Sequence, residues 1–306
     1  MPSAPYPIGT PGQAWGPTEV AAWRAGVVRQ RSYTADVLAA LEPLRQDFDV
    51  SEYGAVVYDD QRFALMVLRS RHWRDDLPTL VVTGGVHGYE TSGVMGALQF
   101  LREHGLETAG RANLLTVPCV SPWAYERVQR WNRDAQDPNR NFRPDSPVGE
   151  SAALVALLAP LRGRVLLHID LHETTDSDEA EFRPALAARD GEAFAPDSVP
   201  DGFYLVDDED RPEPEFQRAV IDAVAQVTHI APPDAQGLII GCPLQSPGVI
   251  RYAVTRKNLC AAITAARFST TTEVYPDSPR TTPQQCIAAQ VTAVRAAIAY
   301  ALSATA

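Results

Sequence analysis

Apolar and polar positions along the chain follow two alternating periods. Thr79-Leu80-Val81-Val82-Thr83 is a short β-branched run, the composition of a strand buried on both faces. Gly84-Gly85 ends it, and residues 89–103 then repeat apolar side chains at helical spacing through Val94, Leu98 and Leu101. The same alternation predicts strands over 114–120, 164–171 and 267–274, and helices over 151–161, 215–227 and 283–302. Upstream, 18–29 and 33–48 have helical spacing. Residues 55–58 and 63–68 predict a strand pair joined by the turn Asp59-Asp60-Gln61. Strands alternating with helices imply an α/β fold: one domain whose mixed, mostly parallel central β-sheet is covered by helices on both faces. Two stretches, 176–214 and 229–258, lack either period and are rich in Pro, Gly and acidic residues. Segments of this kind are expected to shape the mouth of a site.

Bulk properties narrow the picture. The chain has 306 residues, no internal repeat and no linker-like stretch, so 1–306 is read as one domain, with 1–75 as an extension and edge elements packed on it. Its formal net charge of -11 gives it no reason to seek nucleic acid or an anionic membrane surface. The opening has no basic start followed by an apolar run, and no segment reads as apolar for the length of a bilayer; a cytoplasmic location is the expectation. Cys119, Cys242, Cys260 and Cys286 lie far apart and are expected to be reduced and mostly buried.

Four segments carry chemistry. In Gly84-Gly85-Val86-His87-Gly88-Tyr89-Glu90, an imidazole and a carboxylate fall on the turn between a strand and a helix. Ligand sites in open α/β sheets lie at the carboxyl ends of strands, and both groups suit zinc. In Leu167-His168-Ile169-Asp170-Leu171-His172, strand alternation places His168, Asp170 and His172 on one face. His168 reads as a satisfied core histidine, His172 as a ligand at the strand's end, and Asp170 as a candidate orienter behind it. The stretch 130–142, dense in Asn and Arg, offers guanidinium forks for a carboxylate or a developing oxyanion. Glu273, late in a β-branched strand, is a candidate general base.

Together these segments resemble the zinc carboxypeptidase family, the carboxypeptidase A-like metallopeptidases. The family order is HxxE, an Arg-containing stretch leading to DxNRNF, DxH, and a late glutamate. Here it reads His87-Gly88-Tyr89-Glu90, Asp137-Pro138-Asn139-Arg140-Asn141-Phe142, Asp170-Leu171-His172 and Glu273. The resemblance implies the family's helix-covered sheet and a single Zn2+ ion held by His87, Glu90 and His172. It implies that Asp137 orients a ligand histidine, that Asn139 and Arg140 grip a substrate carboxylate, and that Glu273 is the base. Arg130, with Arg133 as rival, matches the arginine that polarises the scissile carbonyl. Tyr252, with Tyr204 as alternative, stands for the substrate-capping tyrosine. The implied activity is hydrolysis of a C-terminal peptide or amide bond beside a free carboxylate, by a metal-activated water.

Two other activities compete with it. The run Asp-Leu-His-Glu-Thr-Thr also resembles succinylglutamate desuccinylases and aspartoacylases, zinc amidohydrolases that remove an acyl group from an N-acyl amino acid. Against that, Glu273 lies 101 residues after His172, later than in those enzymes. A non-catalytic zinc- or peptide-binding module is the second alternative, distinguished by whether Glu273 faces the metal. Acidic residues at 207–210, with Glu173, Asp176, Asp178 and Glu179, read first as a solvated acidic loop; the alternative is a ring of negative charge at the mouth that favours basic substrates.

Overall fold

In a computed structural model, residues 6–58 and 60–305 are described. Eight strands form the main sheet: β1 Phe48–Tyr58, β2 Gln61–Ser70, β3 Thr79–Gly84, β4 Asn113–Val117, β5 Val165–Glu173, β6 Tyr204–Asp208, β9 Val249–Tyr252 and β10 Phe268–Val274. They lie in the order β1-β2-β4-β3-β5-β10-β6-β9. A two-residue hairpin, β7 Leu238–Ile239 with β8 Cys242–Pro243, stands apart from the sheet.

The centre is parallel: β4, β3, β5 and β10 run together. The strand pair β1–β2 adds one antiparallel edge. β6 runs antiparallel to β10 and carries β9 parallel to itself. Burial follows position. Every residue of β3, β4 and β5 is buried, whereas edge strand β1 has only two buried positions in eleven. Helices Thr91–His104, Pro214–Val224 and Pro283–Ser303 pack together in the larger core cluster, through Val94, Leu98, Phe216, Val220, Ala293 and Ala297. Helix Gly149–Leu158 adds Leu154 and Leu158 to a second cluster with Leu115, Val117 and Val165. The fold is thus the α/β architecture that the alternating periods predict.

Local departures have physical causes. The helix expected over 33–48 is broken into a π turn Thr34–Leu38, a short helix Ala39–Leu41 and a 3-10 turn Pro43–Gln46. Pro43 has no N–H to continue the ladder. The strand pair is longer than expected, and Asp59 of its turn lies outside the described residues. The two stretches read as irregular in fact contain β6, β9 and the helix Arg183–Asp190. Contrary to the sequence reading, the Pro283–Ser303 helix is long and apolar enough to cross a membrane by length and composition. It lies instead over the sheet, with Val291, Val294, Ile298 and Leu302 buried in the core. All four cysteines are free, and only Cys242 is partly exposed.

Because β3, β5 and β10 are parallel, their carboxyl ends meet at one edge, and this is what gathers the site. The register sets Thr83 beside Asp170 and His172 beside Glu273. At that edge the turn after β3 is crowded. Gly85 has φ +62°, and a Cβ on Gly88 would stand 1.9 Å from the carbonyl carbon of Ala124 and 2.1 Å from the nitrogen of Tyr125. Backbone at that distance cannot step aside without moving the Pro122–Arg127 helix. Gly88→Ala is therefore expected to cost about 3 kcal/mol of stability, read as a lowered urea midpoint.

Candidate active site

His87 and Glu90 sit on the turn that leads from β3 into helix Thr91–His104, and His172 is the penultimate residue of β5. All three are buried, and their ligand atoms lie within 4.8 Å of one another. Each histidine gives Nε2 to a carboxylate: His87 to Asp137 Oδ1 at 3.0 Å, His172 to Asp170 Oδ2 at 2.7 Å. Asp170 is itself fixed by the Thr83 hydroxyl at 2.6 Å. Each Nδ1 is left facing Glu90, at 2.6 Å from Oε1 for His87 and 2.9 Å from Oε2 for His172.

This donor set fits a divalent cation. Glu90 Oε2 is buried, and its one polar neighbour is His172 Nδ1, in ion-pair contact at 2.9 Å. A buried carboxylate beside two imidazole nitrogens, each imidazole held from behind by a second carboxylate, is the surrounding a metal ligand set requires. The electrostatics agree. Burial pushes the Glu90 carboxyl up, but His172 and His87 outweigh it and hold it at about 2. Burial lowers His172, yet Glu90 and Asp170 carry it well above the ordinary imidazole range.

Glu273, Arg130, Asn139, Arg140, Tyr252 and Tyr204 line one cavity of about 810 Å³ around this cluster, whereas Arg133 and His168 do not. Glu273 lies there, one strand over from His172. Burial above all pushes its carboxyl up to about 8, and Thr174 donates a hydroxyl to its Oε2 at 3.0 Å. Arg130 spans Asp137 (Nε to Oδ2, 3.2 Å) and Asp178 (Nη1 to Oδ1, 3.3 Å). Arg133 instead reaches Asp134 and is absent from the cavity lining. Asn139 accepts the backbone N–H of Cys260 at 2.8 Å. Four arginines line the cavity, and Arg140 alone among them makes no ion pair among the described residues; Arg130, Arg183 and Arg189 are each paired to carboxylates. Both tyrosines line it too. The Tyr204 hydroxyl is spent on Thr174 at 2.7 Å, while Tyr252 is only partly buried. His168 is held between Thr83 and Thr264, and burial drops it to about 4.

One expectation is corrected. Asp207 and Asp208 neither sit in a solvated loop nor ring the mouth. They are buried and bound to Arg251, Gln217 and Arg211, because β6 carries them into the sheet. The cavity carboxylates Glu179 and Asp190 are neutralised by Arg183 and Arg189. Sequence reading also overlooked Thr174, which it passed over within the DLHETT run, and the cavity wall formed by Ala14, Trp15 and Val20. Nothing in the local pattern of that N-terminal segment marks it as part of a site.

Comparison with known proteins fits this geometry. Residues 76–192 match the succinylglutamate desuccinylase/aspartoacylase catalytic domain. The match includes the three candidate ligands and stops short of Tyr204, Tyr252 and Glu273. No curated protein matches the chain. Among solved structures, a candidate metallopeptidase from Shewanella denitrificans OS217 is 23% identical, with 88% of each chain covered and a TM-score of 0.64. A metallo-carboxypeptidase from Burkholderia cenocepacia is 15% identical, covering 88% of this chain and 68% of its own, with a TM-score of 0.59. A metallo-carboxypeptidase from Pseudomonas aeruginosa, solved with (2-guanidinoethylmercapto)succinic acid, is 16% identical over 87% of this chain and 68% of its own (TM-score 0.56). The recognised resemblance is borne out: the fold is carboxypeptidase-like, with affinity to the desuccinylase/aspartoacylase branch. Together with the His-Glu-His cluster, these likenesses support a metal-dependent hydrolase.

Proposed function

We propose that this protein is a zinc-dependent metallocarboxypeptidase, hydrolysing the amide bond next to a free carboxylate, with Zn2+ held by His87, Glu90 and His172. A bound zinc ion supplies an acidified water and an electrophile for the carbonyl. Glu273 takes the proton of the attacking water and passes it to the leaving nitrogen. Arg130 donates to the carbonyl oxygen as negative charge develops there. Arg140 pairs with the free carboxylate, Asn139 flanks it, and Tyr252 covers the bound residue. The observation that carries this reading is Arg140: a guanidinium with no ion pair among the described residues, in the same cavity as the metal cluster and Glu273. The inhibitor on the Pseudomonas aeruginosa enzyme carries carboxylates, which supports a carboxylate-bearing substrate here.

The second reading, removal of an acyl group from an N-acyl amino acid, is favoured by the family match over 76–192. The chemistry at the metal is shared, and only the group on the far side of the amide differs. Zinc-loaded protein should be assayed on blocked dipeptides and on N-acetyl- and N-succinyl-amino acids. Turnover of the dipeptides, with Arg140→Gln raising KM about 30-fold and leaving kcat nearly unchanged, is the expected result. Turnover confined to the acyl amino acids would favour the second reading, and none on either series would favour a binding module.

A further inference from the structure

Arg130 is held on two sides. Asp137 takes its Nε, and Asp178 takes its Nη1 at 3.3 Å. Asp178 is itself fixed at both oxygens. The Tyr89 hydroxyl donates to Oδ1 at 2.8 Å and to Oδ2 at 3.0 Å, and the backbone N–H of Thr175 reaches Oδ2 at 2.8 Å. Tyr89 also accepts from Arg130 Nη1 at 3.2 Å, and its ring stacks near that of His87. These bonds leave Arg130 Nη2 without a hydrogen bond or ion pair among the described residues, in a guanidinium that lines the cavity. A planar fork pinned at two of its three nitrogens has its third direction fixed.

We propose that Asp178 is a positioning residue for Arg130, clamping the guanidinium opposite Asp137 so that Nη2 alone is presented to the substrate. This rests on the reading of Arg130 as the donor to the reacting carbonyl. The segment beyond β5 thereby acquires a defined role, since the turn Thr175–Asp178 brings the second jaw of the clamp to the first, which lies in the stretch 130–142. Without Asp178, Nη1 keeps only the hydroxyl of Tyr89, which Asp178 itself holds in place, and a donor displaced by an ångström loses much of its effect on a transition state.

The test is a double-mutant cycle with zinc-loaded protein. Asp178→Asn keeps the shape and removes the charge. It should lower kcat about tenfold, with KM changed less than about twofold and metal content unchanged. In an Arg130→Gln background the same substitution should change kcat less than about twofold, because its effect runs through the arginine. An unaffected kcat in Asp178→Asn, or an equal fall in both backgrounds, overturns the proposal. If Arg130→Gln itself leaves kcat at the wild-type level, the role given to Arg130 is what fails. The clamp is then read without catalysis: phenylglyoxal should modify Arg130, mapped by mass spectrometry, several-fold faster in folded Asp178→Asn than in wild type. Equal labelling rates overturn it.

Discussion

Glu273→Gln is expected to lower kcat by about 10³-fold while zinc content and KM stay close to wild type. The carboxylate is held by the Thr174 hydroxyl, one strand from His172, where it lines the cavity. Glutamine keeps that contact and the side-chain volume but cannot take a proton. The pH dependence follows the same group. In the metal-free protein, burial pushes Glu273 up to about 8. A cation beside it favours the ionised form and draws this value down, so activity should rise with pH along an acid limb below 8 that Glu273→Gln removes. Stability has the opposite sign. The metal-free fold keeps a proton on Glu273 that the unfolded chain releases near 4.5, so this contribution is present at low pH and is lost as pH rises from 4.5 through about 8. A metal-free Glu273→Gln protein should therefore lose less stability over that interval, measured by denaturant titration at several pH values. An unchanged kcat in this variant would remove Glu273 from the chemistry.

His172→Ala is expected to abolish both activity and tight zinc binding. In the wild-type protein, zinc at a thousandfold excess over its Kd should add about 4 kcal/mol of stability, seen as a raised Tm. The variant should gain nothing from zinc. It should also be less stable than metal-free wild type by about 3 kcal/mol, because Glu90 and Asp170 lose the imidazole that lies between them and stay buried. Equilibrium dialysis and thermal melts with and without zinc read both effects. A variant that binds zinc as tightly as wild type would place the metal elsewhere.

The parts of this molecule legible in its sequence are those where one physical constraint dominates. β3 and β5 are buried on both faces, so their composition is unambiguous, and His87, Glu90 and His172 follow because they sit where those strands end. Alternation along β5 separated Asp170 from Leu171 and placed it behind His172. β6 was missed for the opposite reason. Its sequence ends in two aspartates that look like loop, and they are buried because Gln217 and Arg211 from the following segment and Arg251 from far along the chain pair with them. The choice between Arg130 and Arg133 had the same character. Three residues apart in one polar stretch, they are told apart by the partners Asp137 and Asp178, and Asp178 lies more than forty residues away. Contacts of that range leave no local periodicity to read.

The N-terminal segment has a practical corollary. Trp15 meets Trp131 edge-on at 6.2 Å, Trp131 lies 5.5 Å from Trp23, and Trp23 lies 6.4 Å from Trp123. Four of the chain's five tryptophans thus form one chain of indoles, and its outermost member, Trp15, lines the cavity. The molecule carries its own fluorophore array beside the chamber, so occupancy can be followed by ultraviolet emission without attaching a dye.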